Sequence, residues 1–229
     1  MAFVHGSASR VAFDDLHLSC VLDSFQASFQ TGMADVSAFC DDGRKYLPGL
    51  DEDTLSGSGH YDDVVDANLD GTNAGGLTLV TFGPSGLAVG DPAYIGSVRQ
   101  SSYAIGSTVS DRVTFAVNLQ VDGQMRRGVS LHAPEAESAT GNGDSHDGGA
   151  SSSDGLVASL HASAVTGTLD VTIQDSTDGS SWVDLGTFTQ LSGAGFERLD
   201  ITGTVERYLR AVWTIGTGPA TFTVAAARL

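Results

Sequence analysis

Between positions 113 and 122 the chain alternates without a break. Val113, Phe115, Val117, Leu119 and Val121 fall on one parity, and Thr114, Ala116, Asn118, Gln120 and Asp122 on the other. A two-residue period belongs to a strand with one dry and one wet face, so a long strand is predicted here. Shorter runs at 11–18, 24–30, 54–61, 77–82 and 94–105 predict further strands. Asp122-Gly123 reads as the turn that ends the long one. One helix is predicted, over 62–69. Asp62 and Asp63 suit its N-terminus, and Asp70-Gly71 suits its stop.

The pattern weakens and then returns. Positions 135–154 hold only small, polar and acidic residues, which cannot build a core, so they predict a flexible linker or a long exposed loop. Beyond it Leu156, Ala158, Leu160 and Ala162 alternate with polar or small neighbours, as do Leu169, Val171 and Ile173. Asp178-Gly179 marks a hairpin turn, with Trp182, Leu185 and Phe188 after it. Runs at 198–201, 208–215 and 221–226 complete a set of short strands at the spacing of an antiparallel sandwich or jelly roll. No βαβ rhythm appears. The expectation is an all-β chain with a β domain at 1–134, a linker at 135–154 and a small β-sandwich domain at 155–229.

The stretch 31–50 fits neither period, and it is long for a loop inside a compact domain. It carries Met33, Phe39, Tyr46, Leu47 and Leu50. A solvated loop needs no such groups. Either it folds back onto its own sheet or it contacts a partner.

Composition narrows the function. The chain has 229 residues, 41% hydrophobic and 17% charged, with 29 Gly, which suits strands and tight turns more than helices. The formal net charge is −17, with most of the acidic excess in the first 150 positions. Such a surface repels phosphate and argues against sequence-specific nucleic-acid binding, while it favours solubility. No apolar run is long enough to span a membrane, and the first six residues lack the features of a secretory signal. Cys20 and Cys40 are expected to be reduced and buried, and they have no partner at zinc-ligand spacing.

Tests for catalytic or metal chemistry return little. Positions 66–72 imitate half of an EF-hand loop, but Leu77 stands where a bidentate Glu is required. The six His residues form no HxH or HExxH pattern, and nucleophile elbows and phosphate loops are absent. Neither an active site, a cofactor nor a metal is expected. Trp182, Tyr208 and Trp213 are either core residues or a stacking platform for carbohydrate.

Several motifs, in their order and spacing, resemble the tail tube (major tail) proteins of long-tailed, lambda-like bacteriophages. They are the opening Met1-Ala2-Phe3-Val4-His5-Gly6, then Tyr46-Leu47-Pro48-Gly49-Leu50 followed by Leu55-Ser56-Gly57-Ser58-Gly59. Tyr94-Ile95-Gly96-Ser97 with Ser102-Tyr103-Ala104-Ile105 and Arg127-Gly128-Val129-Ser130-Leu131-His132 complete the set. Residues 174–182 and 207–210 resemble an appended β domain of such tail proteins. The resemblance implies a tail-tube-type β-sandwich with one short flanking helix, plus a second small antiparallel sandwich. It implies a non-enzymatic virion protein, assembled in the host bacterial cytoplasm into stacked hexameric rings. Through that tube DNA passes transiently and without specific contacts, and tape measure and tail terminator proteins are the other partners. Inter-ring contacts map onto Phe39, Tyr46, Leu47, Pro48 and Leu50. Part of the carboxylate excess between Asp35 and Asp70 is expected in the tube's lumen, with the individual residues unassigned. The appended half leaves open another virion surface protein, a capsid decoration protein or a carbohydrate-binding module.

Overall fold

From its second residue on, the alternation at 113–122 lies in one long strand, and Val113 falls just before it and is exposed. In a computed structural model describing residues 4–72 and 75–229, the alternating run occupies the first part of a strand running from Thr114 to Glu137. Phe115, Val117, Leu119 and Val121 are buried, and the residues between them face out. Met1-Ala2-Phe3 lies outside the described residues.

In chain order the strands are β1 (Arg10–Phe13), β2 (Leu16–His17), β3 (Leu22–Ser28), β4 (Thr31–Asp35), β5 (Tyr46–Asp51) and β6 (Thr54–His60). Helix α1 (Asp63–Thr72) follows, then β7 (Thr78–Gly83), β8 (Pro92–Gly106), β9 (Thr114–Glu137), β10 (Gly141–Asn142) and β11 (His146–Asp147). The last six are β12 (Leu156–Val165), β13 (Leu169–Ser176), β14 (Val183–Thr187), β15 (Gly195–Ile201), β16 (Tyr208–Ile215) and β17 (Ala220–Arg228). The chain is therefore nearly all β, in antiparallel sheets, with one α-helix among the described residues.

The compact units do not divide at the linker expected from sequence. One unit gathers 1–20, 78–96 and 126–229, and the other 21–77 and 97–125. Both are discontinuous because β8 and β9 contribute a part to each.

In the first unit β15, β12, β17 and the end of β9 pair in that order. The second sheet is β10, β16, β13 and β14, with β11 also on β16. Leu156, Leu160, Phe222 and Val224 of the first sheet pack with Val171, Ile173 and Leu209 of the second. The opposite face of β12 and β17 is also dry. Val157, Ala225 and Ala227 meet Leu79, Leu87, Ala93 and Ile95. Two buried faces explain why β12 is buried from Leu156 to Ala162 without alternation.

The segment 135–154 is not a flexible linker. Gly141 and Asn142 pair with Trp213 and Val212, and His146 and Asp147 with Leu209 and Tyr208. Trp213 Nε1 donates to the Ala139 carbonyl at 3.0 Å, and a Cβ on Gly141 would lie 3.1 Å from the Trp213 ring. Small residues here are what lets the segment lie over an indole. Arg207 grips both oxygens of Asp147 at 2.7 and 2.6 Å, holding that carboxyl down at about 2.

In the second unit β3, β6 and the 114–120 part of β9 pair in order, and β4 and β5 form a two-stranded ribbon. Asp62 caps α1, its Oδ1 accepting from the amides of Val64 and Val65 at 3.0 and 3.2 Å. The helix runs past Asp70-Gly71 to Thr72, one turn further than sequence predicted. Asp122-Gly123 likewise ends nothing. Gly123 takes φ +92 within β9, a backbone state open to glycine, and the strand continues.

Candidate functional site

The 31–50 stretch is a hairpin. Thr31 pairs with Asp51, Met33 with Pro48, Ala34 with Leu47 and Asp35 with Tyr46. This register sets Met33, Tyr46 and Pro48 on one face and Leu47 on the other. Every residue of β5 is exposed. Exposure reaches 114% at Phe39 and 86% at Leu50, and Met33, Val36 and Leu47 stand more than half exposed. The hairpin therefore does not fold back onto its sheet.

Local polar bonds shape its tip. The amides of Ser37 and Ala38 donate to Asp35 Oδ1 and Asp41 Oδ2 at 3.0 and 2.8 Å, and the Lys45 amide donates to Ser37 Oγ at 2.8 Å. Lys45 Nζ pairs with Asp41, and Arg44 lies 3.7 Å from Asp35. The Ala38 amide first, then Lys45, hold the Asp41 carboxyl below the usual carboxylate range. The tip presents Phe39 beside two largely exposed cations, Arg44 and Lys45.

The outward face of the second unit's sheet is uncharged over its centre. Gln26, Ser28, Thr54, Ser56, Ser101 and Asn118 line a shallow groove there. At its edge Asp23 is paired with Arg112 at 3.0 Å. Most carboxylates between Asp35 and Asp70 lie on the hairpin or at α1, while Glu52 and Asp53 lie between β5 and β6, with Asp53 buried.

The structure bears on three sequence readings, and of these it overturns the expected burial of the two cysteines. Asp66, Asn68 and Asp70 sit on α1 and not on a loop, so they cannot wrap a calcium ion. Asp66 instead accepts from Tyr103 OH at 2.7 Å and Tyr61 OH at 3.1 Å, and burial together with this acceptor pushes the Tyr103 phenol above its usual range. Cys20 and Cys40 are free thiols but exposed. The aromatic platform does not form, since Trp213 is buried in the core and Arg210 covers Trp182 at 4.2 Å from its ring centre.

Sequence spacing pointed to no metal, but the fold brings His132, Glu135 and Glu137 together with donor atoms within 4.8 Å of one another. The overlooked signal is Pro134 inside a strand.

The solved structures this chain resembles include chains of phage and gene transfer agent particles, and also a fucolectin from striped bass serum, 10% identical over 68% of this chain and 84% of that one at TM-score 0.26. A chain of the native gene transfer agent virion is 16% identical, with 54% of this chain and 97% of that one covered at TM-score 0.44. The SPP1 tail tube is 16% identical over 54% and 78%, at TM-score 0.46. The SPP1 Dit protein, described as a hub adsorption apparatus, is 11% identical over 96% and 98%, at TM-score 0.37. No family model matches the chain, and no curated protein matches it.

Proposed function

We propose that this chain is a non-enzymatic structural subunit of a phage-type tail tube, self-associating into hexameric rings that stack, with the β4–β5 hairpin seated on the next ring. The observation that carries this is the hairpin itself. A two-stranded ribbon is marginal alone, and this one displays Met33, Phe39, Tyr46, Leu47 and Leu50 to solvent. The partner is a second copy of the chain. The attraction comes from the exposed apolar side chains and not from net charge, since Arg44 and Lys45 are already paired with Asp35 and Asp41 within the hairpin.

Each large apolar side chain contributes roughly 1.5–3 kcal/mol when buried. Association costs about 4–15 kcal/mol, so a single hairpin holds weakly. Six hairpins engaged at once in a ring multiply the effect without new contacts. The order and spacing of the tail-tube motifs agree with this role. DNA passage, a location in the virion tail, and contacts with tape measure and terminator proteins belong to the same proposal. So does a lumen carrying part of the carboxylate excess. Negative-stain electron microscopy of concentrated protein is the test, with tubes expected and dispersed monomers the opposing result.

A further inference from the structure

We propose that His132, Glu135 and Glu137 form a binding site for one divalent transition cation, with Zn2+ the best fit. The site lies wholly within the first compact unit. It is independent of the tail-tube reading.

An irregularity in β9 makes the site. Glu135 pairs with Phe222 and His132 with Val224, so β9 advances three residues while β17 advances two. On a regular strand, positions 132 and 135 would face opposite sides. The extra residue in Ala133-Pro134 turns them to the same side, as bulges do, and Pro134 has no N–H to lose from the ladder.

The imidazole is fixed before any ligand arrives. His132 is buried, stacked on Phe222 with ring centres 4.2 Å apart and met edge-on by Trp213 at 4.6 Å. Its carbonyl accepts from Thr223 Oγ1 at 2.7 Å. Nδ1 lies 3.1 Å from the Phe222 carbonyl, an acceptor, so Nδ1 carries the proton and donates. In the neutral ring Nε2 is then a lone pair, and it faces Glu137 Oε1, another acceptor, at 3.4 Å. Two acceptors held face to face need a positive centre between them. Among the described residues no Lys or Arg pairs with Glu135 or Glu137.

One of the three donor separations, that between His132 and Glu137, already fits zinc. Two ligands each about 2.0–2.1 Å from a tetrahedral Zn2+ stand roughly 3.4 Å apart, which is the Nε2–Oε1 separation here. One imidazole with two carboxylates suits Zn2+ better than Ca2+ or Mg2+, which prefer all-oxygen shells. The Nδ1 bond to a backbone carbonyl is the usual second contact of a metal-bound His. Glu135 is exposed and leaves a side open for a water as fourth ligand. A bound ion would clip the end of β9 and stabilise the folded state in proportion to its occupancy.

The test titrates Zn2+ into the full chain carrying Cys20→Ser and Cys40→Ser, which removes the two exposed thiols as competitors. Calorimetry should show one equivalent bound per chain, at least tenfold tighter than Ca2+ or Mg2+, and the melting temperature should rise with zinc. Glu135→Gln with Glu137→Gln should weaken zinc binding at least a hundredfold and leave the metal-free melting temperature close to the parent's. If that double variant misfolds, Co2+ in the parent replaces it, and the intense visible absorption of four-coordinate cobalt is expected. The proposal is overturned if the parent shows no saturable zinc binding, in which case the Nε2–carboxylate contact is a proton-bridged ion pair. Undiminished binding in the folded double variant, or cobalt without the four-coordinate spectrum, overturns it as well.

Discussion

The backbone carbonyl of Asp14 accepts a 2.7 Å hydrogen bond from Nδ1 of His161, 147 positions further along the chain. That bond leaves Nε2 as an acceptor for Thr81 Oγ1 at 2.8 Å, and Thr81 in turn is bonded to Ser159 Oγ at 2.8 Å. Asp14 itself sits at φ 51, in the left-handed region, with its Oδ1 accepting from the Leu79 amide at 2.8 Å. A hairpin corner is thus tied to the centre of β12 by fully buried polar groups, each with a partner.

These groups make stability depend on pH in opposite directions. Burial first, with a smaller part from the His17 charge, lowers His161 from 6.5 to about 4. Its contribution is present above pH 6.5 and is lost as pH falls towards 4, at about 1.4 kcal/mol per unit. Burial, opposed by the Leu79 amide and aided by Asp15, raises Asp14 from 3.8 to about 6. Its contribution is present at low pH and is lost as pH rises through 6. The two offset each other over most of that range. Asp14→Asn keeps the acceptor for Leu79 and tolerates the left-handed backbone. It should raise the urea midpoint at pH 7 and make stability fall between pH 6.5 and 4 more steeply than in the parent. Parallel curves for variant and parent would contradict the pairing.

Gly128→Ala should destabilise strongly. A Cβ there would lie 2.1 Å from the Ala226 carbonyl oxygen and 2.5 Å from Cα of Ala227, so the backbone of β17 must shift. A loss of about 1–3 kcal/mol or more is expected. Gly43→Ala meets nothing within 4 Å and is the neutral control. Denaturant midpoints of the two variants separate close packing from a general intolerance of alanine.

Proteolysis should strike the hairpin and spare 135–154. Arg44 and Lys45 are largely exposed at the hairpin tip, so trypsin should cleave there first in the unassembled protein. Assembly should protect the same bonds. An unspecific protease should be slow at 139–150, where Trp213, Arg207 and Arg228 hold the segment. Mass spectrometry of the first fragments checks both, and early cleavage at 139–150 would contradict the strand pairing of β10 and β11.

The strands were largely legible because their signal is local. Phe115 through Val121 alternates in sequence and in burial alike, and the runs that became β13 and β16 fall where turn residues bound them. What failed was non-local. Composition alone makes 135–154 a linker, since nothing in Gly141 or Gly143 announces that Trp213 lies beneath them. The unit boundaries escaped because β9 serves both units, a fact of pairing and not of pattern. Asp122-Gly123 misled because a positive-φ glycine serves a turn and a strand irregularity equally well. At the hairpin, the apolar residues were visible in sequence, but their exposure was not. The His132 cluster was hidden by a one-residue register shift that reverses parity.

Phe39→Ser with Tyr46→Ser should prevent assembly and leave the monomer's fold nearly intact. Phe39 is fully exposed and Tyr46 half exposed, so their loss removes no core packing. Surface changes of this kind typically move stability by about 0.5 kcal/mol or less. A large fall in melting temperature would mean the hairpin is integral to the fold of its own subunit.

The central claim, that this chain builds a tube from copies of itself through the hairpin, is tested most directly by negative-stain electron microscopy of the concentrated parent beside the Phe39→Ser, Tyr46→Ser variant. The account predicts stacked rings or tubes in the parent and dispersed particles in the variant. Monomers in both, single rings that never stack, or tubes that form equally well without the two aromatics would contradict it.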